Sequence, residues 1–204
     1  MKFILAKKLN MSSVFTEDGK LIPVTILEAG PSYVTQIKTK EKDSYNAIQI
    51  AFGKKKKVTK PLAGHLKNIG PKRWIREFRV AKEEDLKNFK VGDTITVSLF
   101  QEGEKINITG ISRGKGFQGV VKRHGFSGVL SKTHGNKDQT RTSGSIGATH
   151  PQHVIKGRKM AGHTGEDQIT LKNVPIIKIE PEKNLIYVKG AVPGKRGTLI
   201  KIFN

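Results

Sequence analysis

The sequence predicts a mostly β protein, a barrel or a sandwich, with a partly helical insertion and a long, largely irregular basic arm. Three observations lead there. Short runs of alternating apolar and polar residues recur at spacings of about ten, divided by turn signals. Residues 53–90 break that alternation with clustered lysines and a helix-like stretch. Residues 113–165 abandon it: they hold eleven of the 22 glycines, and ten Lys and Arg face one acid, Asp138, for a net +9 of the chain's +21.

Taken in order, Leu21–Leu27 makes one strand-like run. Tyr33, Thr35, Ile37 and Thr39 then alternate with Val34, Gln36, Lys38 and Lys40, and Ile48, Ile50 and Phe52 with Gln49 and Ala51. Glu17-Asp18-Gly19 and Ala29-Gly30-Pro31 are the turns between runs. Pro23 cannot donate to a ladder, so its strand should start there or lie at an edge. The insertion opens with Lys54, Lys55, Lys56, Lys57 and Lys60, without an acid among them. Lys67, Lys72, Arg73, Arg76 and Arg79 follow around Trp74, the only tryptophan. A lysine run alone is ordinarily a solvated loop. Followed by a second basic cluster in a basic chain, this one reads as a phosphate-contacting loop, and Trp74 as a core or hinge anchor. Residues 81–90 (AKEEDLKNFK) read as a short helix, with Val80, Leu86 and Phe89 on one side. Strand pattern returns with Ile95, Val97 and Leu99 alternating with Thr94, Thr96 and Ser98; Glu102-Gly103 turns the chain, and Ile106 and Ile108 continue it. Beyond the arm, Pro175–Glu180, Leu185–Lys189 and Thr198–Phe203 read as three further strands. Residues 1–112 and 166–204 are therefore expected to form one β-domain, with an insertion at about 53–90, and 113–165 a long excursion from it.

The arm's apolar residues come in scraps: Val120-Val121, Val129-Leu130 and Val154-Ile155. A segment that cannot bury a core stays disordered or is ordered by a partner. Glycine lets backbone approach phosphate closely, and cations that neutralise phosphates release counterions. The sequence offers the arm no regular helix or ribbon of the kind that fills a DNA groove; the irregular crevices of a folded RNA suit it better. Nucleic acid is thus the leading partner and an anionic membrane surface the second. With the arm's +9 taken from +21, the remainder still carries +12. The chain has no cysteine, hence no disulfide framework and no thiolate site. The opening MKFILAKK is too short for a signal core, and nothing approaches the ~20 apolar residues that span a bilayer. A soluble, intracellular chain is expected.

Two motifs tempt another reading. Gly114-Lys115-Gly116-Phe117-Gln118-Gly119 matches GxGxxG, with Asp138 nineteen residues beyond. A dinucleotide fold would then need a helix with an apolar face and a buried strand ending at the acid, whereas the approach from Ser131 to Lys137 is polar. It is not a phosphate-binding P-loop either, because Gly110 and Gly114 are one residue too close and Gly116 stands where Ser or Thr is needed. His150 and His153, near His124, His134 and His163, lack the ligand spacing of zinc sites; stacking on or bonding to RNA bases suits them better. No carboxylate pair, HExxH or Ser/His/Asp set is evident, although a triad assembled by folding stays open. A binder is favoured over an enzyme. The rivals are a free RNA chaperone or DNA-compacting protein and a nucleotide-dependent enzyme.

A more specific pattern runs from Phe100 through Asn107, Gly110, Ser112, Gly114-Lys115-Gly116 and Gly119 to Arg123. With it go Gly144-Ser145-Ile146-Gly147, Lys156-Gly157-Arg158-Lys159-Met160-Ala161-Gly162 and Lys189-Gly190-Ala191-Val192-Pro193-Gly194. Lys60-Pro61, Gly64-His65 and Glu77-Phe78-Arg79 complete it in the insertion. Across essentially the whole chain these segments resemble the family of bacterial ribosomal protein three of the large subunit. That resemblance implies a translation-factor-like β-barrel and an arm reaching toward the peptidyl-transferase centre. It also implies direct binding near the 3′ end of large-subunit ribosomal RNA early in assembly, beside neighbouring large-subunit proteins, on the cytoplasmic ribosome. Some members carry a methylated Gln after the GSIG element; here Gln152 stands out of register in Ala148–His153, and the modification is not carried over.

The expected RNA contacts are Lys54, Lys55, Lys56, Lys57, Lys60, His65, Lys72 and Arg73 on the insertion. On the arm they are Arg113, Lys115, Lys122, Arg123, His124, Lys132, His134, Arg141, Lys156, Arg158 and Lys159, with His150 and Gln152 at a tip near 147–153 that has no Lys or Arg. No catalytic residue, cofactor, metal, membrane or small-molecule substrate is expected.

Overall fold

The computed structural model describes every residue except Glu17, Lys67, Asn68, Lys82 and Leu130. The turn at Glu17, the cation at Lys67, the helical position at Lys82 and the apolar position at Leu130 therefore lie outside the described residues. The protein is mostly β and divides into two compact units, Met1–Ile111 with Gln168–Asn204, and Ser112–Asp167.

In chain order, β1 (Phe3–Phe15), β2 (Leu21–Ala29) and β3 (Ser32–Lys38) lead to a short helix α1 (Lys40–Asp43). Then come β4 (Ala47–Lys54), α2 (Lys60–His65), β5 (Lys72–Arg79), α3 (Glu83–Lys87), β6 (Thr94–Ile95) and β7 (Lys105–Ile111). The second unit holds β8 (Gly116–Gln118), α4 (Val120–His124) and β9 (Gly162–Thr164). The chain closes with β10 (Gln168–Glu180), β11 (Leu185–Lys189) and β12 (Leu199–Phe203).

In the first unit six antiparallel strands close a ring in the order β1-β12-β7-β10-β11-β2, and β5-β4-β3-β6 form a separate sheet. Phe3, Ile4, Leu5 and Ala6 of β1 are all fully buried, so this strand is covered on both faces rather than one. Phe3 stacks on Phe78 of β5 at 4.9 Å between centroids and meets Phe89 at 5.2 Å. Ile106, Ile108, Ile176, Ile186, Ile200 and Ile202 belong to the same core. Fully burying one such side chain stabilises the fold by roughly 1.5–3 kcal/mol.

Several elements differ from expectation for identifiable reasons. Within the insertion, Lys72–Arg79 is a strand: it pairs with β4 from Ala47↔Arg79 to Lys54↔Lys72, and its four Lys and Arg conceal the inward Trp74 and Phe78. Helices do flank it, α2 with Pro61 in its first turn and α3 with Leu86 buried. The expected strand through Leu99 stops at Ile95; Val97–Leu99 form a 3-10 turn that buries Val97 and Phe100 and leaves Leu99 partly exposed. β3 ends at Lys38, and Lys40 opens α1 instead of extending the strand. Pro23 lies within β2 just past the end of the β2–β11 ladder at Val24↔Lys189: its carbonyl accepts from Gly190 N–H (2.8 Å), and Thr25 Oγ1 donates to Gly190 O (2.6 Å), so the Gly190 carbonyl is bonded without a Pro23 N–H. β10 begins at Gln168, ahead of Pro175, because its first residues pair with β7 while staying exposed and carry no burial pattern.

Candidate nucleic-acid interface

The second unit is closed at its base by backbone. Ser112 N–H donates to Asp167 O (2.9 Å), Asp167 N–H to Ser112 Oγ (3.2 Å) and Lys115 N–H to Thr164 O (2.8 Å). β8 and β9 continue this as an antiparallel ladder, Gly116↔Thr164, Phe117↔His163 and Gln118↔Gly162. Gly165 permits the closure: its φ is +81°, and a Cβ there would overlap the Arg113 carbonyl. The one-turn α4 ends on Gly125 at φ +73°, whose N–H returns to Val121 O (3.0 Å). Arg123 Nη1 donates to Met160 O (2.8 Å), and His124 Nε2 lies 3.1 Å from the same carbonyl. The stems thus contain a small ladder and helix where no regular element was expected.

Beyond the stems no described residue is buried. Among the described residues of this unit only Val120 is buried. The distal backbone is arranged by polar bonds, such as Arg158 Nη2 to Ser145 O (2.6 Å), and by the close approach of Gly128 to the Thr140 carbonyl. Arg113, Lys115, Lys122, Arg123, Lys132, Arg141, Lys156, Arg158 and Lys159 are exposed, as are His134, His150 and Gln152; His124 is half-buried. Among the described residues none of these cations makes an ion pair. Their charge is uncompensated, although Arg123 and Arg158 also brace backbone. At the tip, His153 Nδ1 lies 2.9 Å from Pro151 O, and Gln152 takes a φ of +58°.

In the first unit, Lys54 and Lys72 stand opposite each other at the end of the β4–β5 ladder. Like charges so placed repel. Burial, then the Lys54 charge, holds the Lys72 ammonium below the usual lysine range. It sits 3.7 Å from the Tyr33 ring centroid, while the Arg73 guanidinium lies 4.5 Å from the Trp74 ring, itself stacked on Phe52 at 5.7 Å. These residues line a cleft of about 410 Å³ that also holds the Lys7–Glu28 ion pair (3.2 Å). Trp74 packs against the core, as a core anchor should. Lys55, Lys56, Lys57 and Lys60 are exposed. His65 is engaged: its Nε2 lies 2.6 Å from Gln49 Oε1, in a network where Gln49, Tyr45 and Lys38 converge on Glu77 at 3.1, 2.8 and 2.9 Å. The hydrogen bond from Lys38 is the main reason that the Glu77 carboxyl is held below the usual range, against the opposing effect of burial.

The pairing of two side chains of the second unit escaped the reading of the sequence. Phe117 sits inside the GKGFQG run, where the glycines drew attention, and His163 is its cross-strand partner. Only the ladder register brings them together.

Comparison with known proteins gives this arrangement a context. The family profile described as Ribosomal protein L3 matches residues 75–204, from β5 through the whole second unit to the end. The chain is 50% identical over 202 residues to the Large ribosomal subunit protein uL3 of Herpetosiphon aurantiacus, covering 98% of this chain and 94% of that one. It is 48% identical over 206 residues to the protein of the same description from Carboxydothermus hydrogenoformans, covering 98% and 96%.

Proposed function

The chain belongs to the ribosomal protein L3 family, and on that premise we propose that it is a structural constituent of the large ribosomal subunit that binds large-subunit rRNA directly. The observation that carries the reading is the second unit's combination of exposed, unpaired cations with a single buried residue among those described. Such a surface neutralises a polyanion, and such a segment takes its final shape from the partner it binds.

In this reading the six-stranded ring is a translation-factor-like β-barrel, completed from residues 1–112 and 166–204. Residues 113–165 are an arm threaded between RNA helices toward the peptidyl-transferase centre. Binding near the 3′ end of the rRNA early in assembly, with neighbouring large-subunit proteins, places the chain on the cytoplasmic ribosome in a structural rather than catalytic role. The cations of the stems and of the 54–60 loop contact phosphates. His150 and Gln152 contact bases at the tip.

The test is a titration of the full chain with a transcript of the 3′-terminal domain of large-subunit rRNA across a salt series. About 6–10 phosphate contacts predict a loss of roughly 10³–10⁵ in affinity between 50 and 200 mM salt. The chain should also sediment stoichiometrically with large subunits through the same salt range. A nearly flat salt dependence overturns the reading.

A further inference from the structure

Phe117 occupies the middle of the β8–β9 ladder and is 67% exposed. Large aromatics usually serve packing, and this one covers no core. Opposite it stands His163, also exposed, with ring centroids 6.2 Å apart and planes at 86°. The flanking ladder positions are small or polar: Gly116, Gln118, Gly162 and Thr164. Gly119, two residues beyond Phe117, has open space where a side chain would stand, so nothing at that position crowds the Phe117 side. The ladder is held from behind, because Arg123 and His124 at the end of α4 both reach the Met160 carbonyl. Lys115 and Lys122 of the same stem are exposed and, among the described residues, unpaired.

From this juxtaposition we propose that Phe117 forms a stacking platform for one unpaired nucleobase of the bound RNA, with His163 held at right angles beside it and Lys115 and Lys122 neutralising the neighbouring phosphates. The proposal rests on the RNA-binding reading above. An aromatic face flanked by cations is the arrangement that single-stranded nucleic acid recognises, since every base offers a π-face and every linkage a charge. An apolar protein segment would instead need a contiguous apolar patch of several hundred Å². Phe117 stands alone among polar and glycine neighbours. The platform assigns the stems a role beyond charge neutralisation, which leaves base contacts no longer confined to the tip.

The experiment compares the full-length chain with Phe117→Leu, Phe117→Trp and His163→Ala in titrations with the same rRNA transcript at several salt concentrations. Leu keeps apolar bulk without a flat face, so Phe117→Leu should weaken binding by roughly 5- to 150-fold while leaving the slope of log affinity against log salt unchanged. Phe117→Trp should bind like the parent. His163→Ala should weaken binding in the same direction by a smaller factor. The exposure of Phe117 means that no cavity opens, and an unchanged melting temperature of each free variant verifies this. Parent-like binding by Phe117→Leu, or a loss accompanied by a changed salt slope, overturns the platform while the parent's steep salt dependence keeps the RNA-binding reading standing. A flat salt dependence of the parent overturns both.

Discussion

The β7–β10 ladder of the first unit and the β8–β9 ladder of the second are made of the same antiparallel hydrogen bonds, yet they are backed differently. Behind β7 and β10 lie Ile106, Ile108 and Ile176, fully or almost fully buried. Behind β8 and β9 the only buried residue among those described is Val120. A backbone hydrogen bond contributes only about 0.5–1.5 kcal/mol net, too little to offset the ordering of a long chain without apolar burial. The difference teaches where each unit obtains its shape: the ring from its own core, the second unit from a closed base and polar bonds, with the polyanionic partner proposed above to complete it.

The largest effect that can break this comparison is a pair of truncations. Ile108→Ala should cost roughly 2–5 kcal/mol in urea denaturation, as expected for a fully buried aliphatic. Ile155→Ala, at a position 63% exposed, should stay within about 0.5 kcal/mol of the parent. Equal losses would mean that the arm has a core of its own. Next comes the base of the arm. Gly165→Ala places a side chain at φ +81° against the Arg113 carbonyl. Strain of about 1–3 kcal/mol, beyond the overlap, should abolish amide protection at Lys115 and leave the ring's melting midpoint unmoved.

A third prediction divides the arm itself. Replacing Arg158 and Lys159 with Ala should lower the salt slope of RNA binding by about two, since each lost phosphate contact removes just under one. Replacing His150-Pro151-Gln152 with Gly-Ser-Gly should leave that slope nearly intact and alter peptide-bond formation in assembled subunits instead. The smallest effect lies in the first unit. The carboxyl of Glu77 is depressed in the folded state, so its contribution to stability is present above the unfolded carboxylate pKa and is lost as the pH falls through the lower folded value. Glu77→Gln should therefore flatten the acid limb of the melting curve below about pH 4–5, a change read by calorimetry.

Much of the β architecture is legible in the sequence because a half-buried strand alternates, as Leu185 to Lys189 does. What hides is equally physical. β5 carries four Lys and Arg over two inward aromatics, and charge outweighs period in a short window. The first residues of β10 are paired but unburied, and hydrogen bonding alone leaves no mark on composition. Glycine and cations announce the arm's chemistry, whereas its stem ladder is only three residues a side, in a unit where Val120 is the one buried residue among those described. Phe117 and His163 lie 46 residues apart in the chain, and no local pattern joins them. Their pairing exists only once the register is known. His65, expected as an RNA contact, is exposed and has a second attachment that the sequence does not show, its Nε2 lying 2.6 Å from Gln49 Oε1.

The central claim, that the ring shapes itself and the distal arm is shaped by RNA, is tested most directly by amide hydrogen exchange of the full chain, free and bound to the rRNA transcript. In the free protein β1, β7 and β12 should exchange slowly, while residues 126–159 should exchange within the shortest labelling time. Binding should then slow exchange across 126–159 and leave the ring unchanged. Slow exchange along 126–159 in the absence of RNA would contradict the account.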